Sequence, residues 1–210
     1  MKRWIAALAM LIALCTCAAT ARAQHPGGGN SMFWLGLIGN RAQLVGPTTG
    51  ETNTFENPEA GVHVAYSYFL SDEWTACVSG AYQVNSSEFS AAIVPDQKFT
   101  SSSYVIRIGG DRFAFINDRA AVYAGPGITY WRGRGKFEGN PAPGVNGDWP
   151  DVTQYGFNGR LGLWARLGGP WALYGHIGQV IAHNSAKDTK GENTWWTSHH
   201  EGSVGLSLDF

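Results

Sequence analysis

Charged residues are scarce in this chain of 210 residues. Only 15% of them are Asp, Glu, Lys or Arg, whereas an ordinary soluble domain has roughly 25%. Together with an aromatic content of 13%, this scarcity argues against intrinsic disorder and against a long charged coiled coil. A formal net charge of -1 argues against a nucleic-acid-binding protein. The 28 glycines show no three-residue period, which excludes collagen and indicates many turns or close-packed strands.

The first 23 residues have the pattern of a secretory signal peptide. A positive start at Lys2 and Arg3 is followed by an apolar run over residues 4–14. The small-x-small sequence Ala21-Arg22-Ala23 then supplies a cleavage site. We therefore expect export, and a mature chain that begins at Gln24.

Cysteine is as scarce as charge, and two of the three cysteines lie inside this signal. The mature chain keeps Cys77 alone, so no internal disulfide is expected. A lipoprotein signal at Cys17 is the alternative, but Leu14-Cys15-Thr16 matches the small residues of such a site poorly. Removing the signal takes away three basic residues, which leaves 12 against 16 acidic ones and a net charge of -4.

Long apolar runs are absent after the signal. No stretch approaches the roughly 18 residues that a membrane-spanning helix needs, so only strands can carry the chain across a membrane. Alternation with a period of two is the dominant pattern, and it is clearest at the C-terminus. The apolar members there are Val204, Leu206, Leu208 and Phe210. Such a segment turns one face to an apolar medium and the other to a polar one.

Eight alternating segments are joined by connections of two lengths. The segments lie near residues 32–39, 60–70, 74–85, 103–115, 120–133, 153–167, 171–183 and 196–210. Short connections fall at 71–73, 117–119 and 168–170, and long polar ones at 40–58, 86–101, 134–152 and 184–195. Because hydrocarbon leaves no unpaired sheet edge, the pattern predicts a closed eight-stranded antiparallel up-and-down transmembrane β-barrel. This all-β domain would span residues 32–210, after a short lead at 24–31.

The signal, the eight segments and the terminal phrase Ser203-Val204-Gly205-Leu206-Ser207-Leu208-Asp209-Phe210 together resemble the small outer-membrane β-barrel family of OmpA and OmpX type. The resemblance spans nearly all of the mature chain. It implies a Gram-negative outer-membrane location, with outer-membrane lipid and lipopolysaccharide as surroundings. It also implies that Val204, Leu206, Leu208 and Phe210 form the signal that the barrel-assembly machinery reads. Functions differ widely within this family, so the fold does not define the role.

Polar side chains should fill the lumen, because eight strands leave an interior only wide enough for side chains. The alternation predicts that the inward residues include His63, Arg107, Arg160, Arg166, His176, Glu201 and Asp209. Charges of both signs in so narrow a space should pair. A structural plug of ion pairs and hydrogen bonds is the first interpretation, and a small gated channel that uses the same network is the alternative.

Aromatic residues crowd near the inferred strand ends, where rings favour a membrane-water boundary. The tryptophans assigned to that boundary are Trp34, Trp74, Trp131, Trp171, Trp195 and Trp196. Two positions fit the pattern less well. Pro126 lacks a ladder donor and predicts a bulge or strand end. The apolar alternation of the fourth strand changes phase at Gly109-Gly110, which also predicts a bulge.

One constellation suggests catalysis. His183-Asn184-Ser185 places an imidazole and a hydroxyl on the same strand face, and it resembles the His-x-Ser of outer-membrane lipid A deacylases. The register of this strand puts that face on the lipid side. The resemblance implies that Glu192 or Glu201 orients the histidine. Ala186 departs from it, since that family usually has Asn there.

No metal or cofactor is expected. His199 and His200 are strand neighbours that must point to opposite faces, and no nucleotide-binding or C-x-x-C motif is present. The basic residues Arg132, Arg134 and Lys136 lie at an outer loop and suggest either contact with lipopolysaccharide phosphate or a solvated loop. The sequence therefore favours a non-enzymatic outer-membrane barrel with a structural or surface-interaction role and no large pore. A lipid A deacylase and a soluble lipocalin-like barrel are the alternatives.

Overall fold

The computed structural model describes residues 28–45, 54–91, 94–138, 151–188 and 191–210. The predicted signal and the first half of the predicted lead, residues 24–27, lie outside the described residues. Within the described ranges, no helix is long and apolar enough to cross a membrane.

Eight strands account for almost all of the described chain. They are β1 (Ser31–Val45), β2 (Thr54–Phe69), β3 (Trp74–Ala91), β4 (Val94–Asn117), β5 (Ala120–Glu138), β6 (Val152–Gly168), β7 (Trp171–Asp188) and β8 (Gly191–Asp209). Each strand pairs antiparallel with the next, and β8 pairs with β1 over nine residue pairs from Met32↔Asp209 to Asn40↔Glu201. The predicted fold class is thus confirmed: the sheet closes on itself as an up-and-down barrel.

The two faces of the wall have opposite character. Along β6, Leu161 and Leu163 point outward and are exposed, whereas Arg160 and Trp164 point inward and are buried. The same alternation recurs around the ring, so the exterior is a band of exposed apolar side chains. A soluble lipocalin-like barrel needs a polar exterior, which this wall lacks. Burial of the outer band requires hydrocarbon, as in a membrane-spanning barrel.

The three short turns lie where the sequence predicts them, at the same end as the start of β1 and the end of β8. Gly168 and Gly169 join β6 to β7 with φ values of 152° and 56°, which residues other than glycine rarely adopt. Ser31 and Phe210 exchange backbone hydrogen bonds of 2.7 and 2.9 Å, which join the start of β1 to the end of β8. We call this the turn end of the barrel, and the opposite one the loop end.

Strands at the loop end are longer than predicted. β3 and β4 remain paired from Asn85↔Ser101 up to Ala91↔Val94, a region predicted to be a loop. β5 accompanies β4 as far as Lys98↔Glu138. The sequence of these extensions lacks regular apolar alternation, and backbone pairing does not require it. Alternation in the sequence therefore underestimates these strands.

Neither predicted bulge is present. β4 keeps one register with β3 through Gly109 and Gly110, and β5 keeps one register with β6 through Pro126. Pro126 instead leaves a local gap in the β4–β5 ladder, between Gly109↔Gly127 and Arg112↔Ala124, with no change of register. The residues that seemed out of phase, Phe113 and Phe115, are aromatic side chains on the inner face. The alternation is continuous, and aromatic residues simply occur on both faces of this strand.

Phe113 offers a direct test of this register. Phe113→Ala should cost about 3–5 kcal/mol in the free energy of unfolding, because it leaves a cavity inside the barrel. Leu163→Ala, on the exterior, should cost about 1–2 kcal/mol, since lipid chains fill the vacated space and only the transfer energy is lost. Urea unfolding in phospholipid vesicles, followed by tryptophan fluorescence, measures both. Equal costs would contradict an inward Phe113.

Candidate functional site

Aromatic rings fill the lumen at the turn end. Trp34 contacts Tyr174 edge-on with ring centroids 4.6 Å apart, and Phe113 stacks on Tyr123 at 5.1 Å. The indole Nε1 of Trp34 donates to Ser67 Oγ at 2.9 Å, so its polar atom is satisfied. Other buried members of the same cluster are Met32, Ala65, Phe69, Cys77, Ala121, Trp164 and Ala172. This end of the barrel is packed like a protein core.

An ion-pair network lies next to the aromatic cluster. Arg160 donates from Nε to Asp111 Oδ1 at 2.9 Å and from Nη2 to Asp111 Oδ2, a bidentate contact between two buried side chains. Arg107 Nη2 lies 3.7 Å from the same carboxylate. Arg107 also donates to Asn158 Oδ1 and to the Pro126 carbonyl oxygen, both at 3.1 Å, and Asn158 donates to Glu201 at 2.9 Å. Two arginines and two carboxylates thus form one connected network.

Two histidines on the inner face, His63 and His176, contact hydroxyl groups of the aromatic cluster. His63 Nδ1 lies 3.1 Å from the Tyr174 hydroxyl, and His176 Nδ1 lies 3.1 Å from the Tyr123 hydroxyl. Each imidazole is therefore a hydrogen-bonding partner within the plug. The described part of the chain contains no cluster of three His, Cys, Asp or Glu side chains suited to a metal ion.

All seven residues predicted to point into the lumen lie on the inner face. Arg166 and Asp209 pair at 3.3 Å near the turn end, away from the central network. Asp111, the carboxylate that both central arginines face, was not among the residues predicted to point inward. A bulge at Gly109-Gly110 would turn it outward, but the alternation from Arg107 to Asp111 is uninterrupted and places it on the inner face.

The six tryptophans assigned to the membrane boundary divide evenly between the two faces. Trp74, Trp171 and Trp196 are exposed on the exterior. Trp34 and Trp131 are 3% and 7% exposed inside the barrel, and Trp195 packs against the inner cluster that contains Trp131. The boundary assignment is wrong for Trp34, Trp131 and Trp195. Alternation along the strand decides which face a ring occupies, and closeness to a strand end does not.

Tyrosines form the outer aromatic band on β4, β5 and β6 at the loop end. Tyr130 lies between Tyr104 and Tyr155, with ring centroids 5.9 and 5.1 Å away. Arg132 follows on the same face of β5 and donates to Asp151 Oδ2 at 2.7 Å. This hydrogen bond raises the pKa of Arg132 above its ordinary value, so the guanidinium stays charged. Arg134 Nε lies 3.2 Å from the other oxygen of Asp151, so two cations share one carboxylate.

The His-x-Ser residues lie on the outer face of β7 at the loop end. Ser185 Oγ donates to Glu192 Oε1 at 2.6 Å, which brings two of the predicted catalytic residues together. The His183 ring contacts Trp196 edge-on at 5.2 Å. Among the described residues no hydrogen bond joins His183 to Ser185 or to Glu192. Glu201 lies on the inner face, where it accepts from Asn158, so it does not reach His183.

Solved structures of two bacterial proteins have a similar barrel. OprG, an outer-membrane protein of Pseudomonas aeruginosa, superposes with a TM-score of 0.53 at 11% identity, over 90% of this chain and 99% of its own. Ail of Yersinia pestis, in complex with the heparin analogue sucrose octasulfate, gives 0.50 at 13% identity, over 87% and 99%. The chain has the fold of the small eight-stranded outer-membrane barrels. No protein-family model matches this barrel, and no curated protein matches its sequence.

The C-terminal strand of the barrel has the outward face that the sequence indicates. Val204, Leu206 and Phe210 are exposed on the exterior. Leu208 alternates in step with these residues but is only 2% exposed. Its cross-strand partners are Phe33 on β1 and Trp171 on β7, so it sits between two large rings.

Loss of Asp111 should destabilise the barrel strongly. Asp111→Ala leaves Arg160 buried without its bidentate partner, which should cost about 3–5 kcal/mol in the free energy of unfolding. Urea unfolding of the vesicle-inserted protein gives this value.

The control for Asp111 is an exposed ion pair of the same chemistry. Arg112 and Glu73 pair at 3.0 Å at the turn end with more than half of each side chain exposed. Glu73→Ala should therefore cost at most about 1 kcal/mol. Equal costs for the two alanine variants would show that the inner pair contributes no more than a surface contact.

Proposed function

We propose that this protein is an outer-membrane barrel that acts at the cell surface through its loop end and has no large pore. The filled lumen carries the proposal. Because aromatic rings pack at the turn end and Arg160 is held by Asp111 beside them, we expect no wide aqueous path along the axis. Transport through a large pore is thereby disfavoured, and the loop end and the outer wall are left as the working surfaces.

A small gated channel is less well supported than a plug. Arg160 makes two hydrogen bonds to Asp111, and Asp111 also faces Arg107. Opening a path would separate buried charges from one another, and a buried charge without its partner is costly. The plug also needs no moving part, since every strand beside it is paired on both edges.

Anionic surface molecules fit the loop end. Arg132 and Arg134 share one carboxylate and lie just beyond the Tyr104–Tyr130–Tyr155 band, where the headgroup region begins. Arginine binds phosphate through parallel hydrogen bonds. The similar barrel Ail was solved with sucrose octasulfate, a highly charged anion. We infer that in this protein the arginine pair contacts the phosphates of lipopolysaccharide.

Removing the arginine pair should weaken lipopolysaccharide binding. We expect Arg132→Ala/Arg134→Ala to lower the affinity of the refolded protein for lipopolysaccharide by about tenfold, and to make it less dependent on salt. Calorimetric titration in detergent at two salt concentrations measures both effects. Arg112→Ala, which removes an exposed arginine at the turn end, serves as the matched control.

Two results would contradict the proposal. An unchanged affinity in the double variant, or an equal loss in the Arg112 variant, would reject the arginine pair as the contact. Large conductance steps in planar lipid bilayers would reject the plug. Recovery of the protein in the soluble periplasmic fraction, with a gel mobility that boiling does not change, would reject the membrane barrel altogether.

A lipid A deacylase is the second candidate, favoured by one contact. Ser185 and Glu192 are joined by a hydrogen bond of 2.6 Å on the outer surface, and His183 lies on the same face of β7. A hydrolase of membrane lipid needs its nucleophile on that side of the wall. Rotation of the imidazole away from Trp196 would be required before His183 could act as the base for Ser185.

Lipid A mass spectra decide between the two candidates. If His183 and Ser185 are catalytic, expression of the protein removes one acyl chain from lipid A, and either His183→Ala or Ser185→Ala restores it. Spectra that are identical with and without the protein would eliminate the deacylase. The alanine variants must show the same heat-dependent gel mobility as the parent, so that loss of activity is not loss of the fold.

A further inference from the structure

A row of four outward residues interrupts the apolar exterior. Cross-strand pairing joins Pro126 on β5 to Gly159 on β6, Gly159 to Gln179 on β7, and Gln179 to His200 on β8. None of these side chains is a large apolar group, although the same face elsewhere carries Val, Ile, Leu and aromatic residues. The interruption therefore crosses four adjacent strands at one level.

On β6 and β7 this row lies within the apolar band. On β6, Gly159 is flanked on the same face by Phe157 and Leu161, both well exposed. On β7, Ile177 and Ile181 flank Gln179 in the same way. Lipid chains that cover these four apolar residues must also cover the row between them.

The row forms a depression in the wall, which we call the notch. Its volume is about 680 Å³, and its lining includes Pro126, Gly159, Leu161, Ile177, Gln179 and His200. A Cβ built at Gly159 meets no heavy atom within 4 Å, so the notch has room for a side chain there. The notch is apolar along Pro126, Leu161 and Ile177, and polar at the Gln179–His200 side.

Hydrogen-bonding capacity is left over at that polar side. Gln179 Nε2 donates to Ser198 Oγ. The carbonyl oxygen of Gln179 and the ring nitrogens of His200 have no hydrogen-bond partner in the part of the chain that the structure describes. Unpaired polar groups against hydrocarbon are costly, so a polar group from the surroundings is expected to satisfy them.

We propose that the notch binds a bilayer lipid, with one acyl chain seated on Pro126, Gly159, Leu161 and Ile177 and its ester or amide linkage hydrogen-bonded to His200 and Gln179. The position of the notch relative to the membrane boundary agrees with a bound lipid. Trp196, whose ring marks the membrane boundary, lies two outward positions beyond His200 on β8. Lipid linkages lie just inside that boundary. The inference rests on the proposed membrane location of the barrel.

Photocrosslinking tests the notch. The protein is inserted into phosphatidylglycerol vesicles that contain a small fraction of phosphatidylcholine with a diazirine on one acyl chain, and labelled peptides are identified by mass spectrometry. We expect labelling to concentrate on residues 157–161 and 177–181. Gly159→Leu fills the notch and should lower this labelling about tenfold, equivalent to about 1.4 kcal/mol of lost binding free energy.

Two further variants separate the notch from the rest of the wall. Gly80→Leu is the matched control: Gly80 lies on the exterior of β3, four strands from β7 around the ring. A Cβ there meets only the Val105 carbonyl oxygen, at an ordinary 3.7 Å. This variant should leave labelling of the notch unchanged. The double variant Gln179→Leu/His200→Leu keeps the exterior apolar but removes the hydrogen bonds, and should lower labelling as Gly159→Leu does.

The outcomes are distinguishable. Labelling spread evenly around the exterior, or unaffected by Gly159→Leu, would overturn the notch and leave the membrane barrel standing. Full labelling in the Gln179→Leu/His200→Leu variant would overturn the hydrogen-bonded linkage. Parent protein that sediments as a dimer in detergent, with a Gly159→Leu variant that sediments as a monomer, would assign the notch to a second copy instead of a lipid. A chain that fails to insert into vesicles, with no exterior peptide labelled, would overturn the proposed location itself.

Discussion

Pairing of every backbone donor and acceptor within the sheet is the constraint on which this structure depends. In hydrocarbon an unpaired edge is not tolerated, so β8 must return to β1. Closure with eight strands makes the lumen narrow, and a narrow lumen has to be filled by side chains. The aromatic cluster, the Arg160–Asp111 pair and the histidine–tyrosine contacts all follow from that requirement.

Filling of the lumen changes in character along the axis. Rings of Trp34, Phe113 and Tyr123 occupy the turn end, and charged groups lie beside them. Towards the loop end, Asn184 and Gln154 both donate to Thr197, so amides and hydroxyl groups replace the charges. A barrel built in this way has a rigid axis, and its accessible chemistry lies on the outer wall and at the loop end.

The outer wall has a simple composition, and residues that depart from it are therefore easy to recognise. Most outward residues in the band are apolar side chains or glycine, so the polar Gln179 and His200 are exceptions. The cationic pair Arg132 and Arg134 stands out similarly, just beyond the tyrosines. In a soluble protein such residues would be ordinary surface positions. Against hydrocarbon and lipid headgroups, the same residues have specific partners to satisfy.

Period-two alternation, read from the sequence alone, determined the number of strands, their order, the position of the three short turns and the inner face that carries Arg107, Arg160 and His176, since a strand exposes its residues to opposite faces in turn. The tertiary structure decided what alternation cannot encode. Partners across the lumen, such as Asp111 for Arg160, depend on the register of distant strands. The extensions of β3 and β4 pair without regular apolar alternation in their sequence. Trp34, Trp131 and Trp195 face inward because alternation along each strand decides which face a side chain occupies. The preference of a ring for the membrane boundary does not change that face. The notch exists only because register aligns Pro126, Gly159, Gln179 and His200 on four strands that are far apart in the chain.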